Sequence, residues 1–253
     1  ETVSGLAVRR TPLYPSHDSS AVRRMANYVS WALSATIFGL GTLRSSDVAL
    51  VYSSPATAAL PAMVARVLFR KPYVLMIQDL WPDSIFASGF LTTGLPSRMA
   101  RAVLGGFAQL SYKLSSGIAV ISPGMREQLL QRGVDAGKLQ LVYNWVDEAL
   151  YHPAEPDRAL RPLLGIGPDD FVMMYAGNHG AAQDLANVLR AMELVDSDRV
   201  VHLVLVGDGV EKPELEKQAE GMAPGTVHFM PPQPPEAMAP LMAAADLQLV
   251  TLK

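Results

Sequence analysis

The chain has 253 residues, 49% apolar and 18% charged, a composition that builds cores and excludes a disordered or fibrous chain. It contains no cysteine, which excludes a disulfide framework and a thiolate metal site and favours an intracellular address. The net charge of −3 divides unevenly: 14 lysines and arginines stand against 9 acidic residues over 1–150, and 7 against 15 over 151–253.

The basic residues of the first half are scattered singles and pairs without interleaved aromatics, a pattern that argues against nucleic acid. Between Arg23-Arg24 and Arg44, the stretch MANYVSWALSATIFGLGTL (25–43) carries no charge over 19 positions, close to the roughly 20 that cross a bilayer. Asn27, Ser30 and Ser34 share one helical stripe, with Trp31, Leu33, Ile37 and Phe38 elsewhere. Three readings stay open: a helix packed in the first domain, one lying on a membrane, or a span. The flanking arginines favour contact with anionic lipid over crossing.

Short apolar runs then recur at 47–54, 73–79, 117–124, 139–145, 171–178, 201–209, 227–232 and 245–253, each predicting a fully buried strand. Helix-period segments at 55–69, 97–115, 123–133, 181–195 and 211–221 lie between most of them, so parallel sheets of βαβ units are expected. Pro, Gly and charge gather over 146–170, which places a domain boundary near 155.

Ligands of doubly wound sheets sit beyond the carboxyl ends of the strands, so those ends are where chemistry is sought. In QDLWPDS (78–84) an apolar run walks into Gln78, Asp79 and Trp81. Asp79 reads either as a group of the site or as the cap of the next helix; Asp83 reads as a helix cap. In AGNHGAAQDL, Gly177 and Gly180 separate a strand from a helix whose first N–H groups could face an anion. VGDGVEKPEL repeats the device with Gly207, Asp208 and Gly209, and Lys212 adds a mobile cation. Neither is a P-loop or a complete dinucleotide fingerprint, and two such turns in successive units point to a nucleotide or sugar phosphate. His179, alone in its glycine turn, reads as a solvent-facing loop residue, and its place at a strand end keeps it a candidate base.

The ordered series QDLWPDS, VISPGMREQL, VYNWVD, MYAGNHGAAQDL, LVLVGDGVEKPEL and VHFMPPQP resembles bacterial family 4 glycosyltransferases. The likeness is to the branch that builds O-antigen and exopolysaccharide, including N-acetylfucosamine transferases. It implies an α/β GT-B fold: an acceptor-binding Rossmann-like domain over 1–155 and a nucleotide-sugar-binding one over 156–253, with the active site in the cleft between them. It implies transfer with retention from a nucleotide sugar, UDP-linked in expectation, to a polyprenyl-diphosphate-linked saccharide. No cofactor or metal is expected, and the enzyme would work at the cytoplasmic, anionic face of the plasma membrane. Asp79 would be catalytic, Gln78 and Trp81 would hold acceptor, and Gly177, Asn178, Gln183, Gly207, Asp208, Gly209 and Lys212 would hold donor.

The chain departs from the family pattern. Asn178 and Gln183 stand where many relatives carry the arginine and lysine that grip the diphosphate, so charge-assisted bonds give way to neutral ones. Gln78 or Asp79 replaces the usual histidine. The family's first strand is expected to precede residue 1, and its Glu-x7-Glu segment to follow ADLQLVTLK, within a whole chain of about 400 residues. A UDP-sugar 2-epimerase of the same architecture and a non-catalytic nucleotide-sugar-binding protein are the alternatives.

Overall fold

A computed structural model describes residues 2–3, 5–16, 21–87 and 95–252. The chain divides into two compact units, Glu1–Asn144 and Trp145–Lys253, a division ahead of the residue 155 expected from the sequence.

The first unit opens with a small antiparallel pair, β1 (Thr2–Val3) with β2 (Leu6–Ala7), and a long helix α1 (Ala21–Ser45). A four-stranded parallel sheet follows in the order β3-β4-β5-β6, from β3 (Ala49–Ser53), β4 (Tyr73–Ile77), β5 (Gly117–Val120) and β6 (Leu139–Leu141). Its connections are α2 (Leu60–Phe69), α3 (Asp83–Ala87) with α4 (Leu95–Leu114), and α5 (Pro123–Gln131). Helix α5 starts where the sequence signals it: Pro123 occupies the first turn and Ser122 Oγ accepts the Met125 N–H at 3.1 Å.

Alternation along β4 sends Tyr73, Leu75 and Ile77 into a core shared with Val51, Ile118, Val120 and Leu129. The expectation that every strand is buried on both sides fails at the outer strands β3 and β6, and again at the last predicted strand, 245–253, where the two residues that pair are exposed. On β3, Leu50 and Tyr52 of the other face are 71% and 59% exposed.

The second unit holds a parallel sheet in the order β10-β7-β8-β9, from β7 (Phe171–Ala176), β8 (Val201–Val206), β9 (Val227–Met230) and β10 (Leu247–Gln248). Helices α6 (Leu160–Leu164), α7 (Leu185–Met192), α8 (Lys212–Ala219) and α9 (Pro235–Ala243) complete it. Around β7 and β8 both faces are covered. Val172, Met174, Val204 and Val206 pack with Leu160 and Leu241, while Tyr175, Leu203 and Leu205 pack with Leu185, Leu189 and Leu215. That is why β7 and β8 read as unbroken apolar runs.

Helix α1 inverts the usual amphipathic arrangement. Asn27 Nδ2 donates to the Tyr14 carbonyl at 2.6 Å, Ser30 Oγ accepts the Tyr14 N–H at 2.8 Å, and Ser34 Oγ donates to the Pro12 carbonyl at 2.5 Å. The polar stripe is thus spent on the protein's own segment 12–14, and Val22, Val29, Leu33, Ile37 and Phe38 face outward, all exposed. No helix among the described residues is long and apolar enough to cross a membrane, so the spanning reading of 25–43 is withdrawn.

Candidate functional site

In the first unit the carboxyl ends of β3 and β4 lie side by side, because Ser53 pairs with Ile77 in the parallel register. The next residues out are polar. Ser54 Oγ donates to Asp79 Oδ2 at 2.7 Å, and both residues are exposed. A hollow of about 330 Å³ opens over them, lined also by Met25, Tyr28, Trp81 and Ser84. Helix α3 begins four residues beyond Asp79, whose hydrogen bond goes to Ser54, so the capping alternative for Asp79 lacks support. Gln78 is half-buried and its Nε2 is enclosed without a hydrogen-bond partner; Ser84 Oγ is in the same state. Enclosed polar atoms of this kind are uncommon in folded proteins.

Trp81 differs from expectation. Its side chain is 5% exposed and tilts against Tyr28 of α1, with ring centroids 6.0 Å apart, so it has no open face on which a sugar could stack. Asp83 is taken up by two arginines: Arg101 Nη1 lies 3.1 Å from Oδ1, and Arg132 Nη2 pairs with Oδ2. Arg132 Nη1 also donates to the Trp81 carbonyl at 3.1 Å. The turn under Asp79 is therefore held by an arginine 51 positions away, and nothing local in the sequence points to it.

In the second unit the two glycine turns are interlocked and unlike. Past Gly180 the chain makes a short 3-10 turn (Ala181–Gln183), and Asp184 takes the left-handed conformation before α7 starts at Leu185. The helix expected from residue 181 is thus delayed, and the Gly177–Gly180 turn does not lie directly at the head of α7. Asn178 is exposed, with Nδ2 3.4 Å from Gln183 Oε1, and a side chain at Gly180 would place Cβ 2.5 Å from Asn178 Nδ2. Asn178 and Gln183, predicted as donor-binding neighbours, are brought together.

Four N–H groups of the second turn are spent within the unit. Gly207 N–H donates to the Met230 carbonyl, Gly209 N–H to its neighbour Asp208 Oδ1, Glu211 N–H to the His179 carbonyl and Lys212 N–H to the Gly209 carbonyl. Gly207 has φ +142°, and a Cβ there would fall 1.9 Å from the Gly177 carbonyl oxygen; one at Gly209 would fall 2.3 Å from that of His179. These two glycines are required by close backbone approach. Lys212 is half-buried at the start of α8, with Asp208, Glu211 and Glu214 nearby in the chain. His179, expected to face solvent, has no exposed surface because the second turn covers it. Among the described residues no group of three histidines or carboxylates could hold a metal ion.

Residues 1–145 match the glycosyl transferase 4-like domain, and residues 170–253 match glycosyl transferases group 1. The chain belongs to the glycosyl transferase 4-like family. A colanic acid biosynthesis glycosyl transferase of Escherichia coli, WcaI, is 27% identical over 249 residues, 97% of this chain and 61% of that protein. Among solved structures, Anabaena HepE in complex with UDP has a TM-score of 0.65 at 22% identity, over 88% of this chain and 58% of that one. WaaG, a glycosyltransferase involved in lipopolysaccharide biosynthesis, has a TM-score of 0.68 at 14% identity, over 100% of this chain and 64% of that one.

The chain thus spans about three fifths of the length of these relatives. The structural likenesses establish the fold, GT-B, whose two Rossmann-like sheets are the sheets of the two units. Within this family, the strand-end groups described here, Asp79 with Ser54 and the Asn178–Gln183 pair, stand where a doubly wound sheet receives its ligand.

Proposed function

We propose that this chain belongs to a glycosyltransferase that moves a sugar, with retention and without a metal, from a UDP-linked donor to a lipid-linked saccharide during synthesis of a bacterial surface polysaccharide. The observation that carries the reading is the Ser54–Asp79 pair, an exposed carboxylate held at the ends of two parallel strands over an open hollow. The complex of HepE with UDP supports the choice of nucleotide. In this reading the first unit takes the acceptor and the second the donor. Asp79 orients the acceptor hydroxyl or offsets the positive charge that develops on the donor ring. Ser54 fixes the carboxylate, and Asn178 with Gln183 supplies neutral hydrogen bonds to the diphosphate, aided by the Lys212 charge.

The acceptor's lipid anchors the reaction at a bilayer, and the outward apolar stripe of α1 suits that surface. Val29, Leu33 and Ile37 would enter the headgroup region while Arg44 at the end of the helix meets anionic lipid. The protein would then work as a peripheral enzyme on the cytoplasmic leaflet.

The test is calorimetric titration of the chain with UDP, ADP, GDP and CMP, followed by nucleotide-release assays with matching sugar donors and a polyprenyl-diphosphate saccharide. Selective binding of UDP and release dependent on the acceptor are expected. Absence of nucleotide binding at millimolar concentration would defeat the donor assignment.

A further inference from the structure

His179 joins the two strand-end turns of the second unit through its backbone and its ring. Its N–H donates to the Asp208 carbonyl at 2.8 Å, and its carbonyl accepts the Glu211 N–H at 3.0 Å. The ring is fully enclosed, between Tyr175 (centroids 6.2 Å apart) and Phe229 (6.4 Å), with Nε2 3.3 Å from where a Cβ on Gly207 would lie. Neither ring nitrogen makes a well-formed hydrogen bond, and the Val206 carbonyl is the one backbone acceptor that bears on the ring. A neutral imidazole so placed leaves its acceptor nitrogen unmet and its donor poorly met; an imidazolium would leave a second donor unmet and bury a charge as well.

We propose that His179 is a proton-sensitive latch: neutral, its ring packs the Gly177–Gly180 turn against the Gly207–Glu211 turn, and on protonation the ring leaves its pocket and the two turns part. The nearby groups weigh both ways. Burial is the largest influence and pushes the imidazole below its ordinary value, and the Lys212 charge works in the same sense. Asp208, Glu216 and the Val206 carbonyl, which already accepts the Gly177 N–H, oppose it more weakly. The Tyr175 hydroxyl is committed to the Asn178 carbonyl at 3.0 Å and offers the ring nothing. A histidine depressed in the folded state binds fewer protons there than in the unfolded chain. Its neutral ring therefore contributes fully above the unfolded value of about 6.5, and the contribution drains away as pH falls below it.

Any bearing on nucleotide binding rests on the function proposed above; the test does not, because it is made without nucleotide. Imidazole nitrogens of the unmodified chain are followed by NMR from pH 8 to 5, together with the backbone signals of Asn178 and Asp208. The His179 ring should titrate below the ordinary histidine value, and both backbone signals should change only as it titrates. In parallel, the thermal midpoint is measured for the wild type and for His179→Leu and His179→Met. Between pH 7.5 and 5.5 the wild type should lose about 3 °C more than either variant. A His179 that titrates at or above about 6.5, backbone signals indifferent to its titration, or midpoints that fall in parallel would each overturn the latch. Should neither variant fold, the NMR titration of the unmodified chain decides the matter by itself.

Discussion

Ser54 Oγ donates a 2.7 Å hydrogen bond to Asp79 Oδ2 and so joins the ends of two neighbouring parallel strands through their side chains. The carboxylate is exposed and oriented together, a combination that packing alone does not require. If the proposed transferase activity is present, Asp79→Asn should lower turnover at least tenfold, a loss of ~1.4 kcal/mol in the transition state, with the thermal midpoint almost unmoved. Ser54→Ala, which leaves the charge and removes its tether, should cost a smaller factor of a few. Full activity with reduced stability in Asp79→Asn would assign the residue a structural role.

Lys212 is the cation the second turn offers next to Asp208, Glu211 and Glu214. If it meets phosphate, Lys212→Ala weakens binding of UDP more than binding of uridine, because a lysine acts there as a point charge. Titrations of both ligands against both proteins provide the comparison, and equal losses would remove Lys212 from the phosphate site.

The interlock of the glycine turns predicts a steep steric penalty. Gly207→Ala forces a Cβ into the Gly177 carbonyl at an unfavourable φ, and Gly209→Ala forces one into the His179 carbonyl. Each should destabilise the chain by roughly 3 kcal/mol or more in urea unfolding. Gly124→Ala in α5, where a Cβ meets nothing within 4 Å, is the control and should be near neutral or stabilising.

For α1, the doubly substituted Leu33→Glu/Ile37→Glu chain should keep its fold by circular dichroism and lose binding to anionic liposomes. Binding of the unmodified chain should rise with anionic lipid content and fall with salt, since each basic residue near the surface contributes about 1 kcal/mol within a Debye length. Salt-insensitive binding to neutral vesicles would indicate hydrophobic partition instead, and no binding to either vesicle would remove the membrane from the reading.

The parallel sheets and strand ends were legible because β4, β7 and β8 are apolar on successive residues and end in Gln78-Asp79, Gly177 and Gly207. Short helices were not. Helix α9 carries Pro235 in its first turn and Pro240 inside, so its sequence reads as loop, and α3 hides behind Pro82. What escaped altogether was set by distance along the chain. Trp81 reads as a site aromatic until Tyr28 is found against it, and Arg132 gives no local hint that it braces the Trp81 turn. His179 misled because its flanking glycines suggest exposure, while the cover comes from a turn some thirty residues later. Periodicity reports which face of an element is apolar; it says nothing of which distant segment lands on it.

Strand β3 leaves one side of its backbone without a ladder partner among the described residues, and the exposed Leu50 and Tyr52 stand on the same strand. Such an edge is a template on which another chain can add a strand, and nothing charged interrupts Ala49–Ser53 to discourage it. The protein therefore carries an aggregation hazard at this strand. A Leu50→Lys substitution would put a gatekeeper charge on that edge, on the same strand that leads into Ser54 and the Asp79 site.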